Sequence, residues 1–140
     1  MPAASTGRVV KCGAMRRSEH DEQATVVAWC RMQGGEWALI FAIPNGMHLA
    51  GNSRARAAKM NKLKAEGLAP GIPDLFLPVA RGGWHGCFIE MKAGDNKPTD
   101  NQAGWLDKLT TQGYYATACW GADEAIEALT EYMRMTAESE

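Results

Sequence analysis

The sequence predicts an α/β domain, a small mixed sheet flanked by helices in the order α-β-α-β-β-α-β-α. Three observations carry that prediction. Helical stretches with polar caps and glycine stops alternate with short apolar runs bounded by turn residues, the pattern of a layered α/β architecture. The chain has 140 residues, enough for one hydrophobic core and too few for two. Its hydrophobic content of 46% and charged content of 22% are those of an ordinary globular protein.

Taken in order, residues 1–17 are small, polar and unpatterned, and are expected to be a flexible leader to a single domain over 18–135. Ser18 caps a helix running to about Gln33. At 100° per residue, Glu22, Val26, Trp29 and Cys30 share one sector, and Glu19 falls inside it. Gly34-Gly35 stops this helix. Leu39 to Ile43 reads as a buried strand closed by the turn Pro44-Asn45-Gly46. Asn52 or Ser53 opens a second helix to about Glu66, with Gly67 as its stop.

Pro70-Gly71-Ile72-Pro73 is a rigid turn into a strand from Asp74 to Val79. Arg81 to Gly86 has the length of a hairpin loop, with Trp84 at its tip, and Cys87 to Lys92 is the return strand. After an open loop, Thr99 caps a third helix with Trp105, Leu106 and Leu109 on one face. Tyr114 to Trp120 is the last strand. A final helix from about Ala122 is expected to bury Ala125, Ile126, Leu129 and Met133, ahead of a tail at 136–140.

Charge and cysteine usage exclude several classes. The net charge of −1 hides an uneven distribution. Arg54, Arg56, Lys59, Lys62 and Lys64 form a block without an acid, while Asp123 to Glu140 sets six acids against Arg134 alone. Local charge therefore permits a nucleic-acid partner that the overall balance does not announce. Cys12, Cys30, Cys87 and Cys119 form no CxxC pair, and with His20, His48 and His85 they give no zinc-ligand spacing. A reduced cytosolic protein is expected, with Cys30, Cys87 and Cys119 as small core residues. The first residues lack the apolar core of a signal peptide, and no segment has the roughly 18 apolar residues of a membrane span.

The chemistry lies in Pro73-Asp74-Leu75-Phe76-Leu77 and Ile89-Glu90-Met91-Lys92. Side chains alternate across a strand, so Glu90 and Lys92 share one face while Ile89 and Met91 take the other. A charge in a run that otherwise reads as buried strand needs partners, because desolvating it alone costs several kcal/mol. A divalent cation held by Asp74 and Glu90, with Lys92 beside the reacting group, supplies them. Mg²⁺ or Mn²⁺ suits such oxygen ligands. Taken alone, Glu-x-Lys also describes an exposed cross-strand ion pair.

With these residues in view, the chain resembles the PD-(D/E)xK nuclease superfamily, and more closely the small stand-alone VRR-NUC (virus-type replication-repair nuclease) proteins of phages and prophages. The resemblance runs from about residue 18 to 133. It rests on Ser18-Glu19-His20-Asp21-Glu22-Gln23, Ile43-Pro44-Asn45-Gly46, Lys62-Leu63-Lys64-Ala65-Glu66-Gly67, Pro70-Gly71-Ile72-Pro73-Asp74-Leu75, Ile89-Glu90-Met91-Lys92 and Gln102, in that order and spacing. It implies a restriction-endonuclease-like core and Asp74, Glu90 and the Met91 carbonyl as metal ligands. It makes Lys92 the catalytic lysine and an acid of the first helix a further ligand or water-positioning group. Glu22 is favoured for that role, with Glu19 as its rival. Gln102 matches the family's glutamine after the Glu-x-Lys strand, while Thr99-Asp100-Asn101-Gln102 is also a capping box.

The expected activity is therefore a metal-dependent, structure-specific DNA endonuclease acting on branched DNA such as four-way (Holliday) junctions, in the cytoplasm of a bacterial host. Larger relatives carry additional DNA-binding domains that this chain lacks, which points to a homodimer, with Trp37, Trp84 and Trp120 as interface candidates. Arg54, Arg56, Lys59, Lys62 and Asn45 are candidate DNA contacts. The competing readings are a non-catalytic DNA-binding or assembly module of a phage replication complex, and a nuclease of the same fold with flap or duplex substrates.

Overall fold

The computed structural model describes residues 17–45 and 51–137. The expected leader (apart from Arg17), Cys12 and Gly46 lie outside the described residues.

Helix α1 spans Glu19–Gln33. Ser18 closes its first turn: the hydroxyl accepts the Asp21 N–H at 3.1 Å, and the Asp21 carboxylate accepts the Ser18 N–H at 3.4 Å. Val26 and Cys30 are fully buried on its inner face. The predicted strand from Leu39 is shorter than expected. Gly34 and Gly35 both adopt positive φ, 71° and 56°, and turn the chain into a 3₁₀ helix over Gly35–Leu39. Only β1, Phe41–Ala42, remains extended. Helix α2 spans Ser53–Ala65, capped by Asn52, whose Oδ1 accepts the Ala55 N–H at 2.9 Å. None of its residues is buried.

Strand β2 covers Leu75–Leu77, inside the predicted Asp74 to Val79. Pro78 has no N–H to continue the ladder, and at the other end the Asp74 side chain, rather than its backbone, meets β3. Strand β3, Cys87–Lys92, is buried at every position. Helix α3, Asp100–Thr111, starts with the Thr99–Gln102 capping box. Strand β4 is Tyr115–Trp120 and helix α4 is Gly121–Arg134.

The four strands lie in the order β1-β2-β3-β4. The first two pairings are antiparallel and the third is parallel, with α3 as the crossover between β3 and β4. This is the predicted mixed sheet. One face carries Leu75, Leu77, Cys87, Ile89, Met91 and Cys119 into the main core with α1 and α4. Burial pushes the Cys30 thiol up to about 11 and the Cys119 thiol up to about 12, so both stay protonated core groups. Helix α4 buries Ala122, Ala125, Leu129 and Tyr132, while Ile126 and Met133 are only half-buried. Both still pack against the core, and Tyr132 joins it with its hydroxyl donating to the Val79 carbonyl at 2.5 Å.

Two tryptophans read as surface groups pack inward. Trp84 sets its ring edge-on to Tyr115, with centroids 5.9 Å apart, and Trp37 does the same to Trp29 at 5.1 Å.

Candidate active site

The opposite pleat of β3 carries Phe88, Glu90 and Lys92, and that face holds the site. Phe88 stacks on Phe76 with centroids 4.2 Å apart, which seals one end. Beyond it, both charged residues are almost wholly enclosed: Glu90 is 2% exposed and Lys92 6%. The Lys92 ammonium lies 3.7 Å from Glu90 Oε1, a contact their two-residue spacing on one strand face allows.

Asp74 arrives from the neighbouring strand. Its position depends on the turn before it, where Gly71 has φ 87° and a Cβ would meet the Asn101 carbonyl carbon at 2.8 Å. Only glycine allows this turn to sit against the start of α3. The Asp74 carbonyl accepts the Ile43 N–H at 2.8 Å, tying the segment to the end of β1. Its carboxylate Oδ2 accepts the Met91 N–H at 2.7 Å, which turns the side chain toward β3 and into contact with the Glu90 side chain.

Two carboxyls brought together in so dry a place resist ionising. Burial raises Asp74 above the usual carboxylate range; the Met91 N–H and Lys92 oppose this, and Glu19 adds to it. Burial, and then Asp74, push Glu90 up to about 8 despite Lys92. Glu90 Oε2 is buried with no hydrogen-bond partner among the described residues. An oxygen left in that state costs about 1–3 kcal/mol, and a cation between the two carboxylates would remove both the repulsion and the vacancy in bonding. The donor set therefore fits a hard divalent ion. Among the described residues, no group of three or more His, Cys, Asp or Glu side chains gathers as a metal site; the carboxylate donors at the centre are Asp74 and Glu90.

The two acids of α1 part company. Glu19 acts electrostatically on both Asp74 and Glu90. It lines, with His20, Gln23, Pro44, Asn45 and Asp74, a cleft of about 230 Å³. Glu22, one turn on, accepts the Ala122 N–H at 2.6 Å and so answers the positive end of α4. It borders a different cleft. Gln102 is engaged locally: its Oε1 accepts the Thr99 N–H at 2.9 Å, and its own N–H reaches the Thr99 hydroxyl at 3.2 Å. Arg54, Arg56, Lys59 and Lys62 are all exposed on α2. Sequence spacing could not separate Glu19 from Glu22, because both fall in the same helical sector. What separates them is a contact spanning a hundred residues.

An acid at the start of one strand and Glu-x-Lys on its antiparallel neighbour, in a mixed sheet flanked by helices, define a nuclease domain of the PD-(D/E)xK type. Residues 7–123 match the VRR-NUC domain, and the chain belongs to that family. A solved structure described as a VRR_NUC domain protein is similar throughout, with a TM-score of 0.72 at 26% identity, covering 87% of this chain and 93% of that one. No curated protein matches the chain. Among the described residues no helix is long and apolar enough to cross a membrane.

Proposed function

We propose that this nuclease-class domain is a metal-dependent, structure-specific DNA endonuclease, acting on branched DNA such as four-way junctions. The observation that carries the reading is the buried Asp74–Glu90 pair, with one glutamate oxygen unpartnered and a buried lysine 3.7 Å from the other. A structural ion pair has no need of the second carboxyl, and a non-catalytic DNA-binding module has no need of the set.

Asp74, Glu90 and the Met91 carbonyl would hold Mg²⁺ or Mn²⁺, which supplies the positive charge that screens a phosphodiester and makes water a stronger nucleophile. Asp74 is oriented for this by the Met91 N–H, which leaves its second oxygen for other partners. Lys92 brings an ammonium to the same face, where it stabilises charge building on the phosphate or steadies the attacking water. Glu19, from the cleft wall, is the better placed of the α1 acids to position that water. Glu22 is the residue the sequence favoured, and its bond to Ala122 supports a structural role. The turn at Gly71, which leads into Asp74, packs against the first turn of α3, and that contact supports a role for Gln102 beside the site.

Exposed Arg54, Arg56, Lys59 and Lys62 are suited to phosphate contacts along the duplex arms, with Asn45 at the cleft beside Asp74. One domain carries one such site, and paired nicks across a junction need two, so a C₂ homodimer accompanies this substrate.

The test is a substrate panel. Four-way junction, flap, duplex and single-stranded DNA are incubated with Mg²⁺, Mn²⁺ or chelator. Metal-dependent cutting of the branched substrates is expected. Preference for plain duplex would move the substrate class, and cutting in chelator would overturn the metal site.

A further inference from the structure

A second cleft, of about 540 Å³, opens where β3 and β4 end, between the turn after Lys92 and the start of α4. Its rim offers Arg17, Glu22, Asp95, Asn96 and Trp120. Trp120 stands in register beside Lys92 on the parallel neighbour strand, so the two side chains project from the same face of the sheet. It is 38% exposed, the least of four exposed large hydrophobics among the described residues, after Met32, Leu39 and Phe41. Its polar atom is already used: the indole N–H donates to the Asn96 carbonyl at 2.7 Å. That bond anchors the indole edge at the cleft wall, so what Trp120 has left to offer a ligand is its apolar ring surface.

We propose that this cleft is a nucleobase subsite, in which Trp120 stacks an unpaired base of the nucleotide strand whose phosphate lies at Lys92. The inference rests on the nuclease reading above and deepens it to the kind of substrate. The rim sets two acids, Glu22 and Asp95, against Arg17. Such a balance repels a phosphate and suits a base, whose amino groups donate to carboxylate and carbonyl oxygens. A cleft of this size falls in the usual range for small-molecule sites, on the order of 300–1,000 Å³. A base held in a duplex keeps its faces covered by its neighbours. Only a base released at a branch, flap or frayed end can present a face to Trp120. Selection for branched DNA then arises within one protomer, from an aromatic ring tethered to Asn96 one strand away from Lys92.

The test uses DNA carrying 5-iodouracil, which crosslinks on long-wavelength irradiation to an aromatic ring stacked on it. The full chain is irradiated in chelator, so that binding is read apart from cleavage. The probe sits either in the unpaired nucleotide of a flap or at the matching position of an intact duplex. Crosslinking to Trp120 with the flap probe, and not with the duplex probe, is expected. Trp120→Ala should weaken flap binding about 5- to 150-fold, the range given by loss of one stacked base. Trp120→Phe should retain most of the affinity, and both variants should raise KM more than they lower kcat. A crosslink at Trp120 from a protein that never cuts DNA would keep the subsite and reject the nuclease reading. The proposal is overturned if wild-type protein gives no Trp120 crosslink. It is overturned equally if a folded Trp120→Ala variant binds the flap as tightly as wild type.

Discussion

Replacing Glu90 with glutamine should stabilise the metal-free protein at alkaline pH and destabilise it at acid pH. Burial and Asp74 push the Glu90 carboxyl from its ordinary 4.5 up to about 8. An acid raised in this way keeps, in the folded state, a proton that the unfolded chain has released. Well below pH 4.5 both states hold the proton and nothing is lost. Stability falls as pH rises through the interval, and the loss is complete above about pH 8. At about 1.36 kcal/mol for each pH unit, the full interval amounts to roughly 5 kcal/mol for the carboxyl pair. Glutamine escapes this penalty but leaves a buried amide N–H without an acceptor, at about 1–3 kcal/mol. The net gain is then roughly 2–4 kcal/mol near pH 8, with a loss of about 1–3 kcal/mol near pH 4.5. Taking about 3 °C for each kcal/mol in a domain of this size, Tm rises by about 6–12 °C at the higher pH. Thermal unfolding in chelator at the two pH values measures it. Mg²⁺ added at pH 8 should raise the wild-type Tm and leave Glu90→Gln unchanged. A difference that does not vary with pH would refute the account of a strained carboxyl pair, as would a less stable variant near pH 8.

The remaining predictions concern binding, the α1 acids and assembly. Arg54→Ala, Arg56→Ala and Lys59→Ala combined should weaken DNA binding evenly across sequences and reduce the salt slope by about 3, one for each phosphate contact; an unchanged slope would make α2 a merely solvated helix. Glu19→Gln should weaken Mn²⁺ binding in calorimetry with Tm little changed, whereas Glu22→Ala should cost about 1–3 kcal/mol of stability through the freed Ala122 N–H and leave Mn²⁺ affinity intact. The reverse pattern would restore Glu22 to the site. Light scattering should report twice the 15.2 kDa chain mass, and glutamate at Leu39 and Phe41, which are 53% and 45% exposed beside edge strand β1, should yield monomers. A dimer untouched by those changes would place the interface elsewhere.

What the sequence made legible was local. Ser18 and Thr99 announce their helices because capping uses residues three apart, and Cys87–Lys92 announces β3 because every position is apolar or part of the alternating Glu-x-Lys pattern. The Asp74–Glu90–Lys92 group was legible for a related reason: the acid and the Glu-x-Lys lie on consecutive strands of one antiparallel pair. Legibility failed where distant contacts decided. Leu39 entered a 3₁₀ turn because two left-handed glycines precede it. Trp84 looked exposed at a loop tip and instead found Tyr115. Tyr132 joined the core, its hydroxyl donating to the Val79 carbonyl, which no helical period encodes, while Met133 packs only partly buried against it. The cleft beside Trp120 depends on Asn96 and Trp120 meeting across the crossover, and neither residue signals the other in the chain.

Single-turnover cleavage of a labelled four-way junction decides whether Asp74, Glu90 and Lys92 form one metal-dependent hydrolytic site. Wild type is compared with Asp74→Ala, Glu90→Ala and Lys92→Ala, each checked for an intact fold by circular dichroism. The account predicts cutting by wild type in Mg²⁺ or Mn²⁺ and none above background by any of the three variants, without loss of junction binding. Cleavage by Asp74→Ala or Glu90→Ala at the wild-type rate would contradict it.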